Sequence, residues 1–171
     1  MTILGHLEQH PGIDPPDFTA TVTAISEQTI QMDKTFYYPK GGGQPADKGT
    51  ISTESFQCHV HDVLKSESVL HHIDAVNGKL KIGDEIRCSI DTIWRNQLSA
   101  MHTAQHLISA LANEEWGADT VGNQIGNERT RIDLKFENRD SFDANHLEAL
   151  VNDAIQSDHL VTMDLESQKN Y

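Results

Sequence analysis

His102 and His106 stand four positions apart in the segment Met101-His102-Thr103-Ala104-Gln105-His106. On a helix, ~100° per residue puts the two imidazoles about 40° apart on one face, one turn above the other. Such a pair supplies half of a tetrahedral zinc donor set. The zinc-protease reading fails on chemistry, because that motif needs Glu directly after the first His as general base, and the residue here is Thr103. Two partly buried or solvated histidines without a metal fit the same spacing. A second segment is Phe36-Tyr37-Tyr38-Pro39-Lys40-Gly41-Gly42-Gly43-Gln44-Pro45. Its three consecutive glycines allow positive φ and close approach of another chain or ligand. It lacks the Gly-x-x-x-x-Gly-Lys-Ser/Thr spacing of a phosphate-binding P-loop. By itself it reads as a tight loop with aromatic anchors. Neither segment forms a pocket alone, so the 41–44 loop is expected to reach the helix that bears His102 and His106.

Other chemistry-bearing residues carry less. Cys58 and Cys88 fall on the apolar faces of their segments and read as buried, reduced thiols. His59 and His61 share the opposite face and could take up a metal adventitiously. His71 and His72 are adjacent on a strand, so they point to opposite sides and make a poor chelate. Trp94, Trp116 and Tyr171 lie near element ends and read as packing or terminal residues rather than base-stacking platforms.

The elements that must position these residues change character once along the chain. Residues 18–25 alternate in period two and are rich in Thr and β-branched types, which predicts a strand, with 29–33 as its hairpin partner. Phe56, Cys58 and Val60 alternate with Gln57, His59 and His61 in another strand. Residues 68–73 are a further candidate, and Ile86, Cys88 and Ile90 mark one more. Turns are expected at Asn77-Gly78 and Gly83-Asp84. Short strands without a convincing helix indicate a small β-barrel over residues 1–91. From 93 to 112 the apolar positions fall three and four apart, which predicts a helix of about five turns. A Gly-rich approach at Gly122 and Gly126 leads to a strand over 128–136. Asp143 or Ser141 can cap a second helix with Leu147, Leu150, Val151, Ala154 and Ile155 on one face. Residues 92–171 therefore read as an α+β unit, and the whole as α+β.

The chain has 171 residues, 37% hydrophobic, long enough for a real core without disulfides or metal. No stretch approaches the ~18 apolar residues of a membrane span, and the N-terminus lacks the basic and apolar regions of a signal peptide. A cytoplasmic protein with no membrane or DNA role is expected. Lys plus Arg total 13 against 26 Asp plus Glu, a net charge of −13. That balance opposes binding of nucleic acid by bulk counterion release, so any such role must rest on a local basic patch or a strand end.

Thr35 to Pro39, followed by Gly41-Gly42-Gly43-Gln44-Pro45-Ala46-Asp47-Lys48-Gly49, resembles the glycine-rich signature of the alanyl-tRNA editing (AlaX-type) family, relatives of the editing region of alanyl-tRNA synthetase. Arg95 with the segment 101–108 resembles that family's zinc helix. Val121-Gly122-Asn123-Gln124-Ile125-Gly126 with Arg131-Ile132-Asp133-Leu134 resembles the strand segment lining its editing pocket, and Asn152-Asp153-Ala154-Ile155 fits the following helix. The matches run in family order over roughly residues 15–165. The resemblance implies a small N-terminal barrel packed on an editing domain of the threonyl/alanyl-tRNA synthetase type. It implies zinc-dependent hydrolysis of the ester joining a wrong amino acid, chiefly serine, to alanine tRNA. A pocket built for alanine discriminates poorly against one added hydroxyl, by only ~1–3 kcal/mol, so a second hydrolytic site is needed. In that reading His102 and His106 are metal ligands, and Thr103, Gln105 and Gln124 are catalytic or pocket-shaping groups. Gly41, Gly42, Gly43 and Gln44 bind substrate, and Arg131 and Asp133 either bind it or support the strand. The family's other zinc ligands come from a C-terminal Cys-x-x-x-His. Here no Cys follows Cys88, and the later histidines, His146 and His159, have a different context. The expectation is either a C-terminally incomplete chain or a lost metal site, with zinc weak or absent. A non-catalytic module that binds the tRNA end is the alternative. Oligomeric state is not legible.

Overall fold

The computed structural model describes residues 2–7, 17–160 and 162. Ten strands and two α-helices are assigned within them. The strands are β1 (Ile3–Leu4), β2 (Phe18–Ile25), β3 (Thr29–Met32), β4 (Lys34–Thr35), β5 (Gly49–Ser52), β6 (Phe56–Lys65), β7 (Val69–Gly78), β8 (Glu85–Ile90), β9 (Asp119–Gln124) and β10 (Arg131–Lys135); the helices are α1 (Thr92–Trp116) and α2 (Ala144–Gln156).

Six strands close into a barrel in the order β2-β3-β7-β6-β5-β8, with β8 returning to β2. Closure removes the unpaired edges that an open sheet of this size would expose. Alternation does the sorting: in β2, Phe18, Ala20 and Val22 are buried while Thr19 and Thr21 are exposed. The same pattern places Cys58 and Cys88 inside as free thiols, as expected. Burial pushes Cys58 up to about 11 and Cys88 up to about 12, so both stay protonated and inert. Tyr37 is fully buried and donates its hydroxyl to the carbonyls of Thr50 (2.9 Å) and Ser89 (3.1 Å), spanning the β5–β8 seam. That seam is tight because a Cβ on Gly49 would lie 2.1 Å from the Ser89 carbonyl oxygen.

His71 and His72 do diverge. His71 is buried inside the barrel, where its Nδ1 donates to the Ile30 carbonyl (3.0 Å) and its Nε2 accepts from the Thr35 hydroxyl (2.9 Å). His59 sits outside, 3.1 Å from the Asp74 carboxylate. Among the described residues no group of three or more His, Cys, Asp or Glu is placed to hold a metal.

Some boundaries differ from expectation. Asn77-Gly78 is no turn: β7 continues through it, paired with Gln57 and Phe56, and a bulge at positive-φ Ala75 restores the register. The chain reverses later, around Gly83 at φ +92°. The 49–52 strand escaped detection because four residues give periodicity too little to act on. The glycines at 122 and 126 hid β9, which pairs antiparallel with β10 and bulges opposite Asp133 and Leu134. The helix runs to Trp116 rather than 112. Asp91 caps it by accepting from the Trp94 amide (3.0 Å), and Gly117 ends it in the left-handed region at φ +61°. Asp143 caps α2 as expected. α1, α2 and the β9–β10 ribbon share a small second core around Ala112, Ala118 and Leu147, where Trp116 packs edge-on against Phe142. Tyr171 lies outside the described residues. Among them no helix is long and apolar enough to cross a membrane.

Candidate functional site

The glycine segment follows β4, which pairs with β1 outside the barrel's closed strand order, and is closed twice. Its stem is held by Asp47, whose amide donates to the Tyr38 carbonyl (3.0 Å) and whose carboxylate accepts from the Tyr38 amide (2.6 Å). Its tip is held by Gly41 and Gln44, which exchange both backbone hydrogen bonds (3.1 and 2.9 Å). The two central residues of this turn, Gly42 and Gly43, have φ of +58° and +80°, a pair that L side chains adopt only with strain.

Helix α1 is clamped along one side of this loop by residues at helical spacing. Arg95 donates to both oxygens of the buried Asp47 carboxylate and to the Phe36 carbonyl (2.9 Å). The Trp94 indole donates to the Ala46 carbonyl (2.9 Å), and the Lys48 ammonium lies 3.8 Å above its ring. Two turns further along the same face, His102 Nδ1 meets Gln44 Oε1 at 2.8 Å. A Cβ on Gly42 would lie 3.4 Å from the His102 ring, in ordinary contact. The expected approach of loop to helix is therefore present, and it is direct.

The loop also abuts the ribbon. The Ile125 amide donates to the Gly43 carbonyl (2.9 Å), and a Cβ on Gly43 would lie 1.6 Å from the Asn123 side-chain oxygen. Between loop and ribbon lies a cleft of about 370 Å³. The loop lines it with Lys40, Gly41, Gly43 and Gln44, and the ribbon with Asn123, Gln124 and Arg131. Arg131 is gripped by Asp133, which accepts from Nε (2.9 Å) and Nη2 (2.6 Å) and is held below its ordinary range by that contact.

The expected site residues therefore divide. Gly41, Gly43, Gln44, Gln124 and Arg131 line one cleft, with His102 bonded to its edge, while Asp133 supports Arg131. Thr103 faces the other way, into a shallow groove between α1 and Ile155 of α2. Gln105 is buried and donates to Ser109 (2.8 Å), which accepts in turn from Thr120 (2.7 Å). Three participants were missed: Asp47, Lys40 and Asn123. Asp47 carried no local signal, because the Arg95 it pairs with lies 48 positions away.

His102 and His106 stack, with ring centroids 5.0 Å apart and planes 16° from parallel. Desolvation, and then the neighbouring His106, hold His102 below the ordinary histidine range, so it is neutral near pH 7. With Nδ1–H donating to Gln44, its Nε2 keeps a free lone pair. The described residues supply these two imidazole donors and no third or fourth. On their own they do not complete a zinc site, which takes three or four protein ligands.

Comparison with known proteins adds an independent line. The family described as class II tRNA synthetases (A) matches residues 13–94, up to the first turn of α1. The chain is 35% identical to the alanyl-tRNA editing protein AlaX-M of Methanosarcina barkeri over 161 residues, 90% of this chain and 65% of that one. It is 33% identical to AlaX-L of Pyrococcus horikoshii over 109 residues, 63% of this chain and 27% of that one. It is also 36% identical to the alanine–tRNA ligase of Haloquadratum walsbyi over 156 residues, 86% of this chain and 17% of that one. The chain thus spans just under two thirds of the AlaX-M length it matches.

Proposed function

The chain belongs to the alanyl-tRNA editing family, and from that premise we propose that it is an aminoacyl-tRNA deacylase acting in the cytoplasm on mischarged alanine tRNA, chiefly the seryl form. The observation that carries this reading is the 2.8 Å bond between Gln44 and His102. It joins the glycine loop to the histidine helix at the edge of a polar cleft, so two motifs far apart in sequence serve one site.

The residues divide the work as follows. Gln44 Oε1 accepts from His102 Nδ1–H, which fixes the tautomer and turns Nε2 outward as an acceptor. Desolvation keeps that imidazole neutral, as an acceptor must be. The clamp of Asp47 on Arg95 holds the helix in register with the loop. Gln124 and Asn123 offer amide groups to the polar parts of the substrate. A serine hydroxyl is the feature such groups can read and an alanine methyl cannot satisfy. Zinc belongs to the proposal only with donors from outside the described residues. Bound there beside His102 and His106, it would supply Lewis acidity to the ester or to a water.

A non-catalytic module binding the tRNA end is favoured by one observation, the two-donor histidine pair. Release of serine from seryl-tRNA and of alanine from alanyl-tRNA, each measured with and without added zinc, separates the readings. The deacylase reading expects faster release of serine. The binding module expects tRNA binding and no release above spontaneous hydrolysis.

A further inference from the structure

Polar side chains are scarce in the interior: among the described residues those buried are Thr35, Gln44, Asp47, His71 and Gln105. Thr35 and His71 lie inside the barrel, where a polar group costs stability unless the bonds it needs are made. Theirs are made, and all run in one direction. The Ile30 carbonyl can only accept, so His71 Nδ1 carries the proton (3.0 Å). Burial lowers the imidazole to about 4, so it is neutral and its Nε2 accepts from the Thr35 hydroxyl (2.9 Å). The Thr35 oxygen accepts in turn from the Tyr37 amide (3.1 Å). A relay therefore runs from the start of the glycine segment to β7 and across to β3. Apolar side chains at 35 and 71 could fill the same space with little loss of stability, so what the polar pair adds is direction.

The topology explains why direction is needed. β4 is two residues long, pairs with β1 and stands outside the closed strand order, so no barrel ladder fixes where the glycine segment begins. Side chains fix it instead. The Tyr37 hydroxyl pins the tip of its ring to Thr50 and Ser89, and the relay pins its amide. One anchor would let the residue swing about it; two set the course of the backbone into Tyr38, whose amide meets Asp47. Val63 lies opposite His71 in the β6–β7 ladder, and its carbonyl accepts from the Lys40 amide (2.8 Å), so the loop is held again at that level. We propose that Thr35 and His71 are positioning residues for the reaction: through the Tyr37 amide they aim the glycine loop so that Gln44 meets His102. Buried in the barrel, they reach no substrate and act only through the loop. Their effect on rate rests on the deacylase reading. Their effect on the loop has a separate reporter in Trp94, whose indole donates to the Ala46 carbonyl in the loop's stem (2.9 Å).

The test combines fluorine NMR of the full chain labelled with fluorotryptophan and serine release from seryl-tRNA, both well below the melting temperature. Trp94 reports on the loop, and Trp116, in the second core, is the internal reference. Thr35→Val keeps the shape of the side chain and removes its hydroxyl. It is expected to shift the Trp94 resonance, leave that of Trp116 in place, and slow kcat about tenfold with little change in KM, the scale of a small misplacement of reacting groups. Thr35→Ala, a smaller apolar substitute, should give the same pattern. Thr35→Ser, which keeps the hydroxyl, should restore both the resonance and the rate. Ile86→Val removes a methylene from the barrel core on β8; it should lower the melting temperature and move neither readout. An unchanged Trp94 resonance in Thr35→Val, no rescue by Thr35→Ser, or equal slowing in Ile86→Val would overturn the positioning role. A Trp94 shift rescued by Thr35→Ser in a chain that releases no serine would uphold the aiming of the loop and refute the deacylase reading instead.

Discussion

Replacing Asp47 by Asn tests the clamp between the glycine loop and α1. The Asp47 carboxylate is fully buried, and the Arg95 side chain is 13% exposed. One oxygen accepts from Arg95 Nε at 2.8 Å; the other accepts from Arg95 Nη2 and from the Tyr38 amide at 2.6 Å. Asn keeps one acceptor, presents a donor to a guanidinium already full of donors, and leaves that cation buried without a counter-charge. Breaking a buried pair by removing one partner costs about 3–5 kcal/mol. Against a total stability of ~5–15 kcal/mol this is a large loss, and for a chain of this size it corresponds to a fall in melting temperature of roughly 10 °C. Urea denaturation at pH 7 gives the number directly. The double variant Asp47→Leu with Arg95→Met should be more stable than Asp47→Asn, because an apolar pair leaves no charge stranded. A loss below about 1 kcal/mol in Asp47→Asn, or strict additivity of the two sites, would refute the clamp.

Gly43→Ala should distort the site at little cost to the barrel. Its φ of +80° costs an L residue about 1–2 kcal/mol, and its Cβ would displace the Asn123 side chain, so deacylation should fall more than tenfold while far-UV circular dichroism holds. Full activity in that variant would show that the loop–ribbon contact is dispensable. Burial lowers the His71 imidazole from 6.5 to about 4, so the unfolded chain binds the extra proton between those values. This group's stabilisation is complete above pH 6.5 and is lost as pH falls toward 4, making the protein roughly 2 kcal/mol weaker at pH 5 than at pH 7. His71→Gln should flatten that limb of the urea profile; an unchanged limb would place the effect elsewhere. Elemental analysis after dialysis against a mild chelator should find zinc well below one per chain, and any residue of it lost in His102→Ala. Stoichiometric zinc surviving dialysis would reveal donors beyond the histidine pair.

Alternation made the barrel legible, because a strand with one wet face repeats every two residues, as residues 18–22 and 56–60 do. Helix α1 was legible from its apolar spacing, and the capping role of Asp143 from its residue type. Four residues at 49–52 are too few for a period to show, and glycine at 122 removed the strand signal from β9. At the site, the pairing of loop and helix was inferable because neither could form a pocket alone. Which side of α1 faced the loop was not: Thr103 and Gln105 flank the histidines in sequence, yet one faces α2 and the other is buried. That outcome is decided by the Arg95–Asp47 pair, a contact spanning 48 positions that no local pattern encodes.

The central claim is that the Gln44–His102 contact makes one deacylating site from two motifs. Single-turnover release of serine from seryl-tRNA by the wild type, Gln44→Ala, His102→Ala and the double variant tests it most directly. The account predicts release above spontaneous hydrolysis in the wild type, a loss of more than tenfold in each single variant, and little further loss in the double, since both changes disable the same unit. Absence of release from the wild type with and without zinc, or losses in Gln44→Ala and His102→Ala that multiply as independent sites, would contradict it.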